Sequence, residues 1–544
     1  MKSSLVVLVI LDGWGLAPES KGNAITLAKT PNFDKLWASY PRTTLLASQE
    51  AVGLPKGEVG NTETGHLNIG AGRIVYQDLA RVNQAISSGA FFTNEAFIGA
   101  INHAKANNTN LHLMGLVGAG GIHSSLEHLF GLLRLSKEQA FDRVFLHLFT
   151  DGRDSPPASA GDYVAQIEEI IKSENVGKIA SVMGRYWAMD RDLRWDRTEK
   201  AYCALTEGLG EHVLSAAEAI EKSYTADLTD EFINPHIIVN DSKPVALIQE
   251  KDAVIFFNFR IDRPRQLSEA FVFENFEVEA TAKPDFDPYM ERYYKSHIAT
   301  LPKSDPFKRK PKIKDLYFAT MTDYAKSISS YAKVAFPPVI IRMPLAGHLS
   351  ARNLLQLRLS ETEKERFVTF YFNGQQELKF PGEQRKIIPS PDVTSYDKKP
   401  SMSSRELTET FLDMITDTNR ENFSFVLINF ASPDMVGHTG KIDASIEACQ
   451  VVDECLGKII QRVETVGGVT LVSADHGNVE ELLTAEGKVD TEHSINPVPF
   501  IIVGKQFLGK PQTLPQGILA DIAPTILKLL EIPKPEDMTG RALI

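Results

Sequence analysis

The chain is poor in cysteine, with three (Cys203, Cys449 and Cys455) in 544 residues. The count is odd and no close CxxC pair occurs, which suits a reducing compartment; each thiol is expected to pack reduced in a core. Long apolar runs are missing too: none is long enough to span a bilayer as a helix. Lys2 followed by Leu5 to Leu11 has the outline of a signal peptide, but the run stops at Asp12-Gly13-Trp14-Gly15 without a small-residue cleavage site. A buried strand ending in a loop is the better reading, and the protein is expected to be cytoplasmic. Positive charge is in deficit: the formal net charge of −12 argues against general nucleic-acid binding, while leaving room for a local basic pocket. No internal repeat and no long low-complexity tract is present.

What remains is an ordinary globular composition, 43% hydrophobic and 24% charged, in a chain too long for one core. Two to four domains are expected. The densest stretch is Gly60-Asn61-Thr62-Glu63-Thr64-Gly65-His66-Leu67-Asn68-Ile69-Gly70-Ala71-Gly72-Arg73. Its glycines permit backbone angles and approaches that a side chain would block. The Thr62 hydroxyl, set in such a turn, is a candidate nucleophile that needs a base or a metal for activation.

Apolar, β-branched runs alternate with helical stretches, which predicts an α/β fold with mainly parallel sheets. Strands are expected at Leu5–Leu11, Leu111–Val117, Val144–Phe149, Lys178–Met183, Ala253–Phe259, Phe425–Phe430, Val469–Ser473 and Pro499–Val503. Polar residues follow most of them, at the strand ends where open α/β sheets bind ligands. The stretch 276–314, with its run Lys308-Arg309-Lys310-Pro311-Lys312, reads as a solvated linker rather than a nucleic-acid patch. Another boundary is expected between Arg73 and Asn83. Leu519 to Leu530 reads as an amphipathic packing helix begun or kinked near Pro524.

Two groups of chemical residues stand out. Asp12, Asp434, Asp475, His438, His476 and His493 form a mixed oxygen and nitrogen donor set. It suits Mn, Zn, Co or Fe better than Ca or Mg. The number fits two ions sharing a site with Thr62, where one acidifies the hydroxyl and the pair stabilises an in-line phosphoryl displacement. Any one of these residues alone could equally be a turn cap or a chance DxxxH; the case rests on their joint position at strand ends. The second group is cationic: Arg153, Arg185, Arg191, Arg260, Arg263 and Lys364. Convergent guanidinium groups in an acidic protein imply a small, multiply anionic ligand. The alternative is surface ion pairing, and for Lys364 in Glu361-Thr362-Glu363-Lys364-Glu365 a charged helix face. His123, after Gly120-Gly121, is placed to act as acid or base.

With these motifs in view the chain resembles the cofactor-independent phosphoglycerate mutases of the alkaline phosphatase superfamily, nearly end to end. The pieces that carry the resemblance are Gly65–Arg73, Asp151-Gly152-Arg153-Asp154, Phe257-Asn258-Phe259-Arg260, Pro433 to Gly440, Ala474-Asp475-His476-Gly477-Asn478 and Asn496-Pro497-Val498-Pro499. The resemblance implies an alkaline-phosphatase-like metal domain, split over residues 1–77 and 315–544, with a transferase domain inserted at 78–314. It implies interconversion of 3-phosphoglycerate and 2-phosphoglycerate, in glycolysis and gluconeogenesis, by a monomer that needs two Mn2+ (Co2+ or Zn2+ being possible) and no bisphosphoglycerate. One ion is then expected on Asp434, His438 and His493, the other on Asp12, Asp475, His476 and Thr62. His123, Arg153, Asp154, Arg185, Arg191, Arg260, Arg263 and Lys364 match the family's substrate-binding and catalytic positions, with Asp154 or His123 handling protons. Domain closure would exclude water.

The chain departs from the family at Thr62, where serine is usual, at Thr64, usually aliphatic, and at Gly118-Ala119, usually more polar. Threonine keeps the hydroxyl and adds a methyl beside it. That leaves two alternatives beside the mutase: a metal-dependent phosphomonoesterase or phosphodiesterase, and a catalytically weak homologue that binds only phosphoglycerate or a partner protein.

Overall fold

The computed structural model describes residues 5–281, 304–416, 423–510 and 512–544. All eight expected strands form, within a residue or a few at their ends. The chain divides into two compact units, residues 1–77 with 339–544, and residues 78–338.

The first unit is built on one sheet. Edge to edge its strands are Glu383–Ile388, Leu355–Glu361, Phe423–Phe430, Val6–Leu11, Val469–Ser473, Val498–Val503, Arg42–Leu46 and Gly517–Ile518. The first five are mutually parallel; Val498–Val503 is antiparallel to both neighbours. Every residue of Val6–Leu11 is buried, as a central parallel strand covered on both faces requires. The long helix Ile442–Thr465 covers it with Cys449, Val452, Cys455, Leu456, Ile459 and Val463, spaced three or four apart on one face. Cys449 and Cys455 are thus packed core thiols; Cys203, in the second unit, is half-buried, and all three are unbridged.

The second unit repeats the plan. Its strands run Lys333–Phe336, Tyr317–Thr322, Ala253–Phe256, Leu111–Val117, Val144–Thr150, Lys178–Gly184, His236–Asn240 and Glu211–Val213, with Lys243–Pro244 paired outside this order to His236–Asn240. The first six are mutually parallel, and His236–Asn240 is antiparallel to Lys178–Gly184. A polar chain crosses the buried middle of this sheet. Asp252 Oδ2 lies 3.1 Å from His112 Nε2, His112 Nδ1 lies 2.9 Å from His147 Nε2, and His147 Nδ1 lies 2.8 Å from Ser181 Oγ. A register shift between Leu146 and His147 sets His147 directly opposite Ser181.

Two expectations change. The strands Tyr317–Thr322 and Lys333–Phe336 belong to the second sheet, so the second unit runs to 338 instead of ending at 314. The basic run is pinned to that unit and is not a linker. Arg309 donates to the carbonyls of Ala270 and Phe273, and Lys312 pairs with Glu274. Residues 282–303 of the expected linker lie outside the described residues. The C-terminal helix is found at Ile522–Leu529, after a short 3-10 turn. Among the described residues no helix is long and apolar enough to cross a membrane.

Candidate metal centre and anion site

Three adjacent parallel strands of the first unit deliver three carboxylates. Ile10 pairs with Asn429 on one side and Ser473 on the other. The chain beyond these positions therefore emerges at one edge of the sheet. Asp12 ends its strand directly, Asp475 and His476 follow Ser473, and Asp434 sits on the short helix Ser432–Gly437. Gly13 turns with φ +73°, and a Cβ there would stand 3.0 Å from Asp434 Cα, so only glycine lets the two segments come this close.

Thr62 is helical. It opens the helix Thr62–Ala71, capped by the Asn61 side chain, which accepts the Thr64 N–H. The glycines of this stretch serve approach more than turning: a Cβ on Gly65 would lie 2.6 Å from the Asp475 carbonyl oxygen, and one on Gly70 2.0 Å from that of Phe372. Thr62 Oγ1 is buried, 2.9 Å from His476 Nε2 and 2.9 Å from Lys364 Nζ. The Thr64 hydroxyl turns instead to Asn61.

Lys364 is no exposed helix face. It is buried, and its ammonium donates to Asp12 Oδ1 and Asp434 Oδ2 at 2.7 Å each as well as to Thr62. Burial pulls its pKa down, but Asp12, Asp434 and Asp475 outweigh that and raise it. The opposite balance acts on Asp434: burial raises its pKa, and Lys364 with the facing imidazoles holds it well below the usual carboxylate range. His476 is lifted to about 9, since Asp475, Asp12 and Asp434 overcome the cost of burying its charge. The cluster thus demands positive charge beyond what Lys364 provides.

The hydrogen bonds around the imidazoles say where that charge belongs. His438 Nδ1 is 2.9 Å from the Thr491 carbonyl oxygen and His493 Nδ1 is 2.8 Å from that of Gly60. Carbonyls only accept, so both Nδ1 atoms carry a proton, and in the neutral rings both Nε2 atoms present lone pairs. Those two Nε2 atoms face each other at 3.1 Å, and lie 3.3 and 3.4 Å from Asp434 Oδ1. Asp475 Oδ2 is buried with no close hydrogen bond, His66 Nδ1 lying 3.3 Å away. Converging lone pairs and a loosely held carboxylate oxygen fit a bound cation. Ligand atoms of Asp434, His476 and His493, and of Asp12, Asp475 and His476, each lie within 4.8 Å of one another. His476 is therefore close to both sets, whereas the motifs placed it with one.

The second unit gathers the other predicted residues in the same way. Ends of four adjacent parallel strands lead to His123, to Arg153 and Asp154, to Arg185, and to Arg260 and Arg263. His123 is buried, its Nε2 3.6 Å from Asp154 Oδ2 and its Nδ1 3.6 Å from Asp262 Oδ1. Burial is the main reason its pKa falls to about 3; Arg185, Arg260 and Arg263 add to the fall and Asp262 opposes it. Arg185 is buried against Asp151 and Asp154, and Arg191 pairs with Asp262. Arg263 donates to the Met189 carbonyl while burial and the neighbouring Arg185 and Arg191 lower its pKa to about 10. Arg153 and Arg260 are the exposed members, at 54% and 47% of their side chains. Gly118 is explained here: a Cβ would stand 2.6 Å from Ser155 Oγ, whose oxygen accepts the Ala119 and Gly120 N–H groups.

Several residues of this architecture carry no signal in the sequence. Asn478 donates to Asp434 Oδ1 at 2.9 Å. Glu480, wholly buried, accepts from the amides of Gly15 and Asn478 and from the side chains of Ser494 and Asn496. It ties together the loops that carry the metal-ligand candidates. Asp262, between Arg260 and Arg263, faces His123, Arg191 and Arg260.

A family model described as "BPG-independent PGAM N-terminus (iPGM_N)" matches residues 82–326. The 2,3-bisphosphoglycerate-independent phosphoglycerate mutase of Moorella thermoacetica is 47% identical over 539 residues, covering 99% of this chain and 98% of its own. That of Clostridioides difficile is 45% identical over 545 residues, with both chains covered completely. A solved structure of Leishmania mexicana phosphoglycerate mutase at low cobalt concentration matches with a TM-score of 0.61 and 29% identity, over 100% of this chain and 98% of that one. On this likeness over its whole length, the chain belongs to the family of 2,3-bisphosphoglycerate-independent phosphoglycerate mutases.

Proposed function

We propose that the protein interconverts 3-phosphoglycerate and 2-phosphoglycerate without bisphosphoglycerate, a step of glycolysis and gluconeogenesis, by passing the phosphoryl group through Thr62. The observation that carries this is the setting of Thr62 Oγ1, 2.9 Å from both Lys364 Nζ and His476 Nε2 and beside three buried carboxylates. Asp434, His438 and His493 would hold one divalent ion, and Asp12, Asp475 and His476 with the Thr62 oxygen a second. Mn2+ suits these donors, as do Co2+ and Zn2+. Bound there, the ions supply positive charge to the phosphoryl oxygens and acidify the hydroxyl.

The residues divide the rest of the work. Lys364 donates to Oγ1 and stabilises the charge that develops on it. The first N–H groups of the helix Thr62–Ala71 point toward an anion bound at its start. In the first half-reaction the Thr62 hydroxyl gives its proton to solvent, the Oγ1–P bond forms, the O3–P bond of 3-phosphoglycerate breaks, and the glycerate O3 leaves with a proton from His123 or Asp154. In the second, glycerate O2 returns a proton to that pair and takes the phosphoryl group back, and Oγ1 regains a proton from solvent to restore the Thr62 hydroxyl. Arg185, Arg191, Arg260 and Arg263, with Arg153, hold the glycerate carboxylate between the two steps. His123 and Asp154 exchange the hydroxyl protons. His123 is neutral in the free protein and its pKa rises as a trianionic substrate offsets the arginines.

Phosphorus NMR of the protein with Mn2+ and 3-phosphoglycerate tests this. The expected product is 2-phosphoglycerate, with trapped phosphate on Thr62 by mass spectrometry. Thr62→Val should lower turnover by about 10^4-fold or more, while Thr62→Ser retains it. Release of inorganic phosphate alone would replace the mutase with a hydrolase, and no change would leave a binding protein.

A further inference from the structure

The helix Thr62–Ala71 carries a second polar side chain that no step above uses. His66 stands one turn beyond Thr62, so it lies on the same face. It is wholly buried. Its Nδ1 is 2.9 Å from the Thr62 carbonyl oxygen and 3.3 Å from Asp475 Oδ2. Its Nε2 is 3.2 Å from Asn429 Nδ2, and the same Nδ2 is 2.7 Å from Asp12 Oδ2. Asn429 is buried too, the second residue from the end of the strand that precedes Asp434.

Elimination sets the protons. A carbonyl and a carboxylate can only accept, so His66 Nδ1 bears the hydrogen. Asn429 must turn its amide nitrogen to Asp12, because the opposite orientation would put its oxygen against a carboxylate. That nitrogen has two hydrogens, one for Asp12 and one for the lone pair on His66 Nε2. The result is an ordered line: Asp12, Asn429, His66, then the Thr62 carbonyl with Asp475 beside it. Asn429 Oδ1 is left buried without a hydrogen-bond partner, a cost that a purely structural asparagine would not need to carry. The ligand set on the other side, Asp434, His438 and His493, makes no hydrogen bond to His66 or Asn429 and is joined to Asp12 through Lys364, which donates to both carboxylates. That set is oriented by Asn478 and by the carbonyls of Thr491 and Gly60.

We propose that His66 and Asn429 are positioning residues which lock Asp12, Asp475 and the first turn of the Thr62 helix into one geometry, and so set the affinity of one metal site and not the other. The inference rests on the dimetal reading above. Residues behind metal ligands typically govern affinity by about 10–100-fold.

The test is Co2+ titration of the metal-free protein, followed by visible absorption and by calorimetry, with thermal melts as a folding control. Wild type should bind in two steps. In His66→Leu and Asn429→Leu one step should weaken by about 10–100-fold with the other unchanged. His66→Asn puts an amide N–H near the place of Nδ1 and should recover most of the loss. His66→Gln places its amide nearer Nε2 and should not. If Asn429→Leu does not fold, the smaller Asn429→Ser replaces it. Two unchanged steps, two steps weakened equally, or no advantage of His66→Asn over His66→Leu would overturn the inference. A wild type that binds fewer than two Co2+ would sink the dimetal reading itself, and this inference with it.

Discussion

At the scale of single residues, the centre is held by groups that never meet a ligand. Glu480 is the clearest. Its carboxylate accepts from four donors on three separate loops, and a Cβ on Gly15 or Gly477 would fall within 2.3 Å of it. Glu480→Gln turns an amide N–H2 toward donors, leaving at least one buried N–H or O–H without an acceptor. We expect a loss of about 2 kcal/mol in urea unfolding, together with weaker metal binding, because those loops carry Asp12, Asp475, His476 and His493. Asp12 and Asp475 were legible as strand-end carboxylates. Glu480 was not, since its partners lie at positions 15, 478, 494 and 496 and only folding collects them.

Among elements, the helix Thr62–Ala71 decides most. The local sequence suggests a flexible turn, with four glycines in fourteen residues. The chain forms a helix there because Asn61 caps it and because Gly65 and Gly70 allow backbone from two other segments to lie against it. Only Gly72, with φ +63°, needs its left-handed freedom, as the residue that ends the helix. Gly70→Ala would place a methyl 2.0 Å from the Phe372 carbonyl oxygen. In an exposed helix this change stabilises; here we expect a loss of about 3 kcal/mol or an insoluble protein, read by thermal circular dichroism. A neutral or stabilising outcome would show that the helix can shift without harm.

For the molecule as a whole, two units use one device: parallel strands that stop in register and release polar residues at one edge. Their pH response differs from a simple carboxylate story. In the second unit burial lowers His123 and His128 to about 3, and burial with the neighbouring His112 holds His147 well below its ordinary value. The unfolded chain takes up these protons near pH 6.5 and the folded unit does not. Stability is therefore complete above about pH 6.5 and falls as pH drops toward about 3, by about 1.4 kcal/mol per unit for each of His123 and His128, with His147 acting in the same direction. At pH 5 His123 and His128 each cost about 2 kcal/mol. Hydrogen exchange should show residues 78–338 losing protection between pH 7 and pH 5, and His128→Gln should flatten part of that slope. An unchanged protection pattern would mean that these imidazoles are protonated in the folded state.

Much of this was determined by sequence alone. Strands buried on both faces must be near-continuous short apolar runs, so all eight were visible, and residues just past a strand end are placed by it. Asp12, Asp434, Asp475 and His476 needed no more than that. Tertiary structure decided what depends on partners far along the chain. Lys364 reads as a charged helix face until Asp12, 352 residues away, and Asp434, 70 away, surround it. Asn429 reads as a polar slip in a strand until His66, 363 residues away, meets it. The second unit ends at 338 because two short strands pair with a sheet begun two hundred residues earlier, and strand pairing leaves no mark in local periodicity.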